Sequence, residues 1–218
     1  MSVKTRLWIF GGGGLARGVV DAAQLAGQTI AGLVVPNPAE ISWFSGAVVT
    51  ETDCAAGYQP GDSLIVAIGD NTRRCAVTNT TLAAMPGLVR GSVRHPSAVV
   101  ASSARIGAGS VLLGGVSVGP MAAIGQDVLL YTGTIVEHDC TFHDGASTGP
   151  GAVLGGNVTV GAGSFIGLGA RIGHGRMIGA ETVIGMGAVV TRDVPGGVVA
   201  VGAPARVLRS RQPGERYL

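Results

Sequence analysis

The chain has 218 residues, of which 46% are hydrophobic, 4% are aromatic and 13% are charged. Its net charge is only +2 and Lys4 is its single lysine, which excludes the basic stripe of a nucleic-acid-binding protein. Charged residues are about half as frequent as the usual ~25%, so we expect an oligomer to bury part of the surface.

The cellular context is indicated by features that the sequence lacks. The first ten residues do not have the layout of a signal peptide, and no apolar run approaches the ~20 residues that a membrane span needs. Cys54, Cys75 and Cys140 are scattered without metal-ligand spacing, as is typical of free thiols in a reducing compartment. We therefore expect a cytoplasmic protein without a membrane partner.

The first ninety residues alternate between strand and helix patterns. Strands are predicted at 7–10, 29–35, 63–68 and 88–93, and helices at 15–26 and from 72 to about 85. This order predicts a small parallel α/β domain, Rossmann-like in type, over residues 1–94.

A glycine run between the first strand and the first helix could bind phosphate through free backbone N–H groups. Gly11, Gly13 and Ala16 match a weak form of the dinucleotide fingerprint. The acidic residue expected after the second strand is replaced by Pro36 and Asn37, so we do not expect NAD. The glycines could also serve only close packing of the strand on the helix.

A six-residue repeat fills the second half of the chain. From Val100 to Val190, every sixth residue is apolar and most are β-branched, except Thr148. A hexapeptide period predicts a β-solenoid in which three six-residue faces close one coil. Residues 100–195 hold sixteen hexads, hence a triangular prism about 25 Å tall at roughly 4.8 Å per coil. We expect the glycine that follows many lead residues to allow backbone conformations that a Cβ would penalise.

Several motifs together resemble one enzyme family. They are AIGDNTRR at 67–74, HPSA at 95–98, VEHDC at 136–140 within the repeat, and VGAPAR at 201–206. This chain is similar to the sialic acid O-acetyltransferase family of hexapeptide-repeat acyltransferases, which includes bacterial nucleotide-amino-sugar N-acetyltransferases. The resemblance implies that residues 95–218 form an all-β left-handed parallel β-helix with a C-terminal tail.

The resemblance also implies a homotrimer that uses acetyl-CoA as co-substrate, without a metal, and acts on an amino sugar or nucleotide sugar at a site shared by neighbouring subunits. The expected product serves bacterial surface-glycan synthesis. Expected substrate-binding residues are Gly11, Gly12, Gly13, Gly14, Leu15, Gly69 and Asn71, and expected acetyl-CoA-binding residues are Ser147, Gly156, Leu168 and Met186. Arg206 and Arg209 in the tail are candidates for the nucleotide phosphates of CoA.

His138 is the candidate catalytic base. It is the third residue of its hexad, which places it at a corner of the prism, and an imidazole can take a proton from an attacking amine or hydroxyl near neutral pH. By resemblance, the acidic residue that follows, Asp139, orients the ring. N-acylation is expected first because an amine is the better nucleophile, and sugar O-acetylation is the alternative.

Two further alternatives remain from the sequence. His138 and His174 have the 36-residue spacing of a zinc pair in γ-class carbonic anhydrases, but Gly179 stands where a third histidine is needed. A distance of roughly 9.6 Å is expected between the two histidines. The other alternative is a trimeric sugar-nucleotide-binding protein without catalysis. Leu15, Pro36, Asn37, Tyr131 and Ser147 depart from the family pattern, the last two in the expected acetyl-CoA region, and they favour a changed substrate or lost activity.

Overall fold

A five-stranded parallel sheet forms the N-terminal part of the computed structural model, which describes residues 5–212 and 214–216. Its strands are β1 (Arg6–Phe10), β2 (Thr29–Val34), β3 (Val48–Val49), β4 (Ser63–Val66) and β5 (Val89–Arg90), in the order β3-β2-β1-β4-β5. Three helices lie between them: α1 (Gly14–Leu25), α2 (Glu51–Gly57) and α3 (Asn71–Ala84), with a 3-10 turn at Pro38–Glu40. The predicted Rossmann-like fold is confirmed, although β3 and α2 are too short to give a periodic signal.

Burial explains the central position of β1. Leu7, Trp8, Ile9 and Phe10 are each at most 6% exposed, because side chains of this strand are covered on both faces of the sheet. On α1, the buried residues Ala16, Val19, Val20 and Ala23 recur at helical spacing. One face of α1 therefore packs on the sheet, and its N-terminus lies at the carboxyl end of β1.

The second half of the chain is a left-handed parallel β-helix, as expected. Its coils consist of two-residue strands, β6 to β22 in chain order: Val93–Arg94, Val99–Val100, Arg105–Ile106, Val111–Leu112, Ser117–Val118, Ala123–Ile124, Leu129–Leu130, Ile135–Val136, Thr141–Phe142, Ser147–Thr148, Val153–Leu154, Thr159–Val160, Phe165–Ile166, Arg171–Ile172, Met177–Ile178, Val183–Ile184 and Val189–Val190. Every strand pairs with the strand eighteen residues away.

Three sheets form the faces of the prism. The first face contains β6, β9, β12, β15, β18 and β21, the second contains β7, β10, β13, β16, β19 and β22, and the third contains β8, β11, β14, β17 and β20. The lead residues point inward and form one continuous core that includes Leu112, Val136, Phe142 and Ile166. Thr148, the polar exception, is also buried, and its hydroxyl pairs with that of Thr134 at 2.7 Å.

Glycine after the lead residue has a different cause from the one expected. A Cβ on Gly119 would lie 2.7 Å from the backbone nitrogen of His138, and one on Gly149 would lie 2.6 Å from that of Leu168. Neither glycine has a positive φ. Glycine is required at these positions because the backbone of the next coil approaches closely, and the expectation of an unusual backbone conformation was wrong.

The N-terminal sheet packs on the first face of the prism. Val111, Leu113 and Leu129 of this face share one buried cluster with Val19 and Ile9 of the N-terminal sheet and helix. The predicted strand at 88–93 is divided: β5 closes the N-terminal sheet, whereas β6 pairs with β9 and starts the prism. The predicted limits of the two domains, 1–94 and 95–218, stay predictions, and residues 1–4, 213, 217 and 218 lie outside the described residues.

A hairpin ends the prism. β23 (Val198–Gly202) continues the first face by parallel pairing with β21, and β24 (Ala205–Ser210) then pairs with β23 in the antiparallel direction. After the hairpin, Arg211 is 4% exposed and donates to the backbone and carboxylate oxygens of Glu181 at 2.9 and 2.8 Å. These contacts hold the tail against the last coils.

Candidate active site

A cavity of about 660 Å³ lies at the carboxyl edge of the N-terminal sheet. It contains six of the seven predicted substrate-binding residues: Gly11, Gly12, Gly13, Gly14, Leu15 and Gly69. The remaining lining residues are Phe10, Val34, Val35, Pro36, Glu51, Ala67, Ile68, Arg73, Val77 and Tyr131. Sequence analysis missed Glu51 and Arg73. Both residues follow strands of the sheet, and loops that follow parallel strands meet at one edge of a sheet, so the strand order could have predicted them.

The glycine run divides into a packed half and an open half. Gly11 has φ +129°, and a Cβ on it would lie 2.7 Å from the carbonyl oxygen of Ala67. A Cβ on Gly13 or Gly14 would meet nothing within 4 Å. Gly13 is the N-cap of α1 and has no side chain to cap the first turn, so the free N–H groups of this helix end face an open space suited to an anion.

Asn71 and Ser147 lie where α3 packs on the prism. Each is 1% exposed, and the Ser147 hydroxyl donates to Asn71 Oδ1 at 2.7 Å. Asn71 Nδ2 donates to the carbonyl oxygens of Gly163 and Ser164 at 3.1 and 3.0 Å, and Arg74 Nη2 donates to Asn71 Oδ1 at 2.8 Å. Both side chains fasten α3 to the prism, so the geometry gives them a structural role, and substrate binding by Asn71 and acetyl-CoA binding by Ser147 stay predictions.

Tyr131 lines the cavity, and it lies at the same corner of the prism as Leu168 and Met186, two of the expected acetyl-CoA-binding residues. It is half-buried at the corner between the first and second faces, and burial raises the pKa of its phenol. Its backbone N–H donates to Thr148 Oγ1 at 3.1 Å, so the buried threonine replaces a ladder hydrogen bond at this position. The polar exception in the repeat thus shapes the turn that carries Tyr131 into the cavity.

His138 and Asp139 form a hydrogen-bonded pair at the corner between the second and third faces. His138 Nδ1 lies 2.7 Å from Asp139 Oδ2, and both side chains are about half exposed, at 49% and 50%. The carboxylate can only accept, so in the neutral ring Nδ1 carries the proton and Nε2 has a free lone pair. Asp139 has φ +58°, a left-handed conformation that aspartate tolerates better than most residues.

The VEHDC motif positions this pair through its first and last residues. Val136 and Cys140 are 1% and 0% exposed and belong to the prism core, so the three residues between them project outward as a turn. Cys140 donates to the carbonyl oxygen of Gly155 at 3.2 Å, and burial raises the pKa of its thiol. Cys140 therefore anchors the turn.

His174 lies closer to His138 than the spacing of the coils suggested. The ring centroids are 6.0 Å apart, compared with the roughly 9.6 Å expected for two coils. Gly156 lies between them in sequence and leaves room for the ring of His138, since a Cβ at this position would overlap Nε2 and Cε1. Within residues 5–212 and 214–216, no three His, Cys, Asp or Glu side chains are grouped as a metal site requires. His143 is exposed on another corner and does not complete one.

The other predicted acetyl-CoA residues divide between two corners. Leu168 and Met186 are 54% and 80% exposed at the corner between the first and second faces, whereas Gly156 lies beneath His138 at the next corner. In the tail, Arg206 is exposed and lines a smaller cavity of about 140 Å³, and Arg209 forms an ion pair with Glu215 at 2.7 Å. Leu168 and Met186 remain accessible to a ligand on the prism surface.

The cavity and the histidine pair lie on different sides of the prism. Tyr131 is the one prism residue that lines the cavity within the described part of the chain, and it precedes the second face. His138 follows that face, and no residue of its corner contributes to the cavity lining. One chain therefore keeps its candidate binding pocket and its candidate base apart.

Comparison with known proteins starts with the N-terminal domain, in which residues 6–81 match the PglD N-terminal domain family. A search of curated protein sequences gave no significant match. Among solved structures, PerB from Caulobacter crescentus in complex with CoA and GDP-perosamine is 35% identical, with a TM-score of 0.86 over 94% of this chain and 98% of that chain. A histidine-to-alanine mutant of GDP-perosamine N-acetyltransferase from the same organism, with the same two ligands, is 33% identical, with a TM-score of 0.86 over 95% and 99%.

The acetyltransferase domain of PglB from Neisseria gonorrhoeae, in complex with acetyl coenzyme A, is 30% identical, with a TM-score of 0.86 over 94% of this chain and 100% of that chain. The chain belongs to the family of bacterial amino-sugar acetyltransferases. The resemblance to the sialic acid O-acetyltransferase family is not supported by these matches, and the GDP-perosamine enzyme is named an N-acetyltransferase. Within the described residues of this chain, none of the helices is long and apolar enough to cross a membrane.

Proposed function

We propose that the protein transfers an acetyl group from acetyl-CoA to the amine of a nucleotide-linked amino sugar, with His138 as general base. The observation that carries this proposal is the His138–Asp139 pair, hydrogen-bonded at 2.7 Å on a fold whose relatives bind CoA and a nucleotide amino sugar. The pair has a free imidazole lone pair beside solvent, as a proton acceptor in acyl transfer requires.

The chemical step forms an amide and releases CoA. The amine lone pair attacks the thioester carbonyl carbon, and the N–C bond forms as the carbonyl oxygen becomes an oxyanion. His138 Nε2 takes the proton from the nitrogen, while Asp139 accepts from Nδ1–H and stabilises the imidazolium that results. The oxyanion then reforms the carbonyl, the C–S bond breaks, and the leaving sulfur takes the proton. The products are the N-acetyl sugar and CoA.

The active unit is a homotrimer in this proposal. The cavity and His138 lie on different sides of one chain, so a complete site needs His138 of one copy against the cavity of another. The second face favours such contact, because Val99 and Ile135 project from it with 67% and 38% exposure. Leu168 and Met186, exposed at the edge of the same face, would then lie near the junction, where acetyl-CoA is proposed to bind.

The cell compartment and the use of the product follow from the chemistry. Cys54, Cys75 and Cys140 are free, as in reducing compartments, and we place the reaction in the cytoplasm. The product keeps its nucleoside diphosphate, which is a leaving group. A glycosyl transfer reaction must therefore consume it, in agreement with the proposed place in bacterial surface-glycan synthesis.

Transfer can be tested with purified protein, acetyl-CoA and a panel of GDP-, UDP- and dTDP-linked amino sugars. Released CoA thiol is measured colorimetrically, and the product is checked by mass spectrometry for one added acetyl group. Matched sugars with a hydroxyl in place of the amine distinguish N-acetylation from O-acetylation. Binding of the nucleotide sugars without CoA release from any of them would favour the non-catalytic alternative.

A further inference from the structure

Glu51 supplies an acidic group to the cavity from an unexpected strand. In a dinucleotide-binding domain an acidic residue is expected after β2, where this chain has Pro36 and Asn37. Glu51 follows β3, the next strand of the sheet, and lines the cavity together with Pro36. It is the one carboxylate among the described residues that form the cavity wall.

Within the described chain, Glu51 adds a negative charge to the first turn of α2, but its carboxylate takes no part in the capping hydrogen bonds there. The capping box of α2 is formed by Thr50 and Asp53, whose backbone and side-chain groups bond reciprocally at 3.1 and 3.2 Å. Glu51 is exposed, and no hydrogen bond or ion pair to it is found within residues 5–212 and 214–216. Its two oxygens are therefore free to accept from a ligand.

The rest of the cavity has two chemically different ends. The open helix end at Gly13 and Gly14, with Arg73 on the wall, suits the diphosphate of a nucleotide. Phe10, Val34 and Val35 give apolar walls near the ends of β1 and β2, where a flat base can lie. Glu51 follows the neighbouring strand, β3, and lines the same cavity.

Guanine is the one common base that offers a carboxylate two adjacent N–H donors. Guanine carries N1–H and the 2-amino group side by side, and a carboxylate accepts from both. Uracil and thymine present one N–H between two carbonyl oxygens, and adenine and cytosine present an amino group beside an acceptor nitrogen. In a two-point contact, each of these other edges would place an oxygen or nitrogen lone pair against one oxygen of the carboxylate, so only a single hydrogen bond could form.

We infer that the sugar that accepts the acetyl group is a guanosine diphosphate derivative and that Glu51 selects its base. This inference rests on the proposed function, which requires a nucleotide sugar in this cavity but leaves the base open. A carboxylate at a strand end can instead bind ribose hydroxyls, as in dinucleotide-binding domains. A contact to the ribose would strengthen the binding of every ribonucleotide equally, whereas a contact to the base would strengthen that of guanine nucleotides alone. The relative affinities of different nucleotides therefore distinguish the two roles.

The test measures binding of GDP, 2′-deoxy-GDP, IDP and UDP by calorimetry to the full chain, to Glu51→Gln and to Glu40→Gln. Glu40 is an exposed acid that does not line the cavity, so its variant is the control. We expect GDP and 2′-deoxy-GDP to bind alike and roughly 10- to 100-fold more tightly than UDP. IDP, which lacks the 2-amino group, should bind more weakly than GDP. Glu51→Gln should lose most of this preference and Glu40→Gln should keep it.

Several results would overturn the inference: UDP binding as tightly as GDP, an equal loss for all nucleotides in Glu51→Gln, or no measurable binding of any of them. Thermal unfolding of each variant checks that the substitution leaves the fold intact. The proposed function fails separately. If UDP- or dTDP-linked amino sugars are acetylated in preference, acyl transfer stands and the guanine inference falls. If GDP binds as expected and no amino sugar is acetylated, the inference stands and acyl transfer falls.

Discussion

The imidazole ring of His138 lies over the α-carbon of Gly156, in the space that a side chain at position 156 would fill. The two residues occupy the same corner one coil apart, and an added Cβ would overlap Nε2 and Cε1 of the ring. Asp139 holds the opposite nitrogen at 2.7 Å. The carboxylate of Asp139 thus orients the ring, and the absence of a side chain at position 156 leaves the space in which the ring lies. Gly156 therefore acts as a positioning residue.

Replacing Gly156 with alanine should displace the ring without removing it. We expect kcat to fall roughly 100-fold, because small misplacements of a catalytic group cost about this much. The control is Gly114→Ala, at the same position of another corner turn, where the added Cβ would meet its nearest atoms at 3.6–3.7 Å. Steady-state kinetics should show near-normal turnover for the control. Equal losses in both variants would mean that corner glycines matter only for folding.

His138→Ala should lower kcat roughly 10²–10⁴-fold, the usual contribution of a positioned general base. Acetyl-CoA binding should persist, as measured by calorimetry, because the ring acts on the acceptor amine. Asp139→Asn should cost less, since asparagine tolerates the positive φ but does not stabilise the imidazolium as a carboxylate does. His143→Ala, at an exposed histidine, serves as the control. Normal turnover in His138→Ala would contradict the mechanism.

A subunit with a defective cavity and a subunit with a defective His138 should restore activity when mixed, if each active site is formed by two subunits. Gly13→Asp places a negative charge at an open helix N-cap, where it repels a diphosphate while remaining a good cap. Refolded alone, Gly13→Asp and His138→Ala should each be inactive. An equal mixture should recover about a quarter of wild-type activity, because one pairing in four combines an intact cavity with an intact histidine. An inactive mixture would place each site within one chain.

Asn71 should prove structural. Asn71→Ala leaves the Ser147 hydroxyl and Arg74 without one buried acceptor, and we expect the free energy of unfolding to fall by about 2–4 kcal/mol. Thr80→Ala on the same helix removes a hydroxyl that bonds only within α3, and it should cost less than about 0.5 kcal/mol. Urea denaturation measures both. A variant of full stability that no longer binds nucleotide sugar would instead support substrate binding by Asn71.

Alkaline pH should destabilise the fold through Cys54. Burial raises the pKa of its thiol from an ordinary 9.0 to about 11. Between these values the folded chain keeps a proton that the unfolded chain releases, so the free energy of unfolding decreases as pH rises. The stability present below pH 9 should decline by about 2–3 kcal/mol on reaching pH 11. Urea denaturation across this range should show a shallower decline for Cys54→Ala, and parallel curves would show that Cys54 does not titrate as proposed.

The sequence determined the fold more completely than it determined the site. The repeat is periodic, so each lead residue could be assigned to the core, and Val136 and Ile166 lie there. His138 could be placed at a corner from its register alone. These predictions succeed because a solenoid relates nearby residues in sequence to nearby residues in space.

Contacts between distant segments could not be predicted in the same way. Asn71 and Ser147 are 76 residues apart, and their hydrogen bond depends on how α3 packs on the first face. Glu51 follows a strand of two residues, too short for any periodic signal, and only the strand order brings it to the cavity. The short distance between His138 and His174 depends on side-chain tilt over Gly156, which coil spacing does not describe.

The terminal hairpin has a consequence for growth of the stack. A parallel β-helix could add coils indefinitely, because its last strand exposes unpaired backbone groups that fit another strand in the same direction. β24 reverses that direction and presents Arg206 and Arg209 along the outer strand. At the first face, a second prism would meet an antiparallel strand in place of a matching coil. The chain thus carries its own barrier against end-to-end polymerisation into fibres.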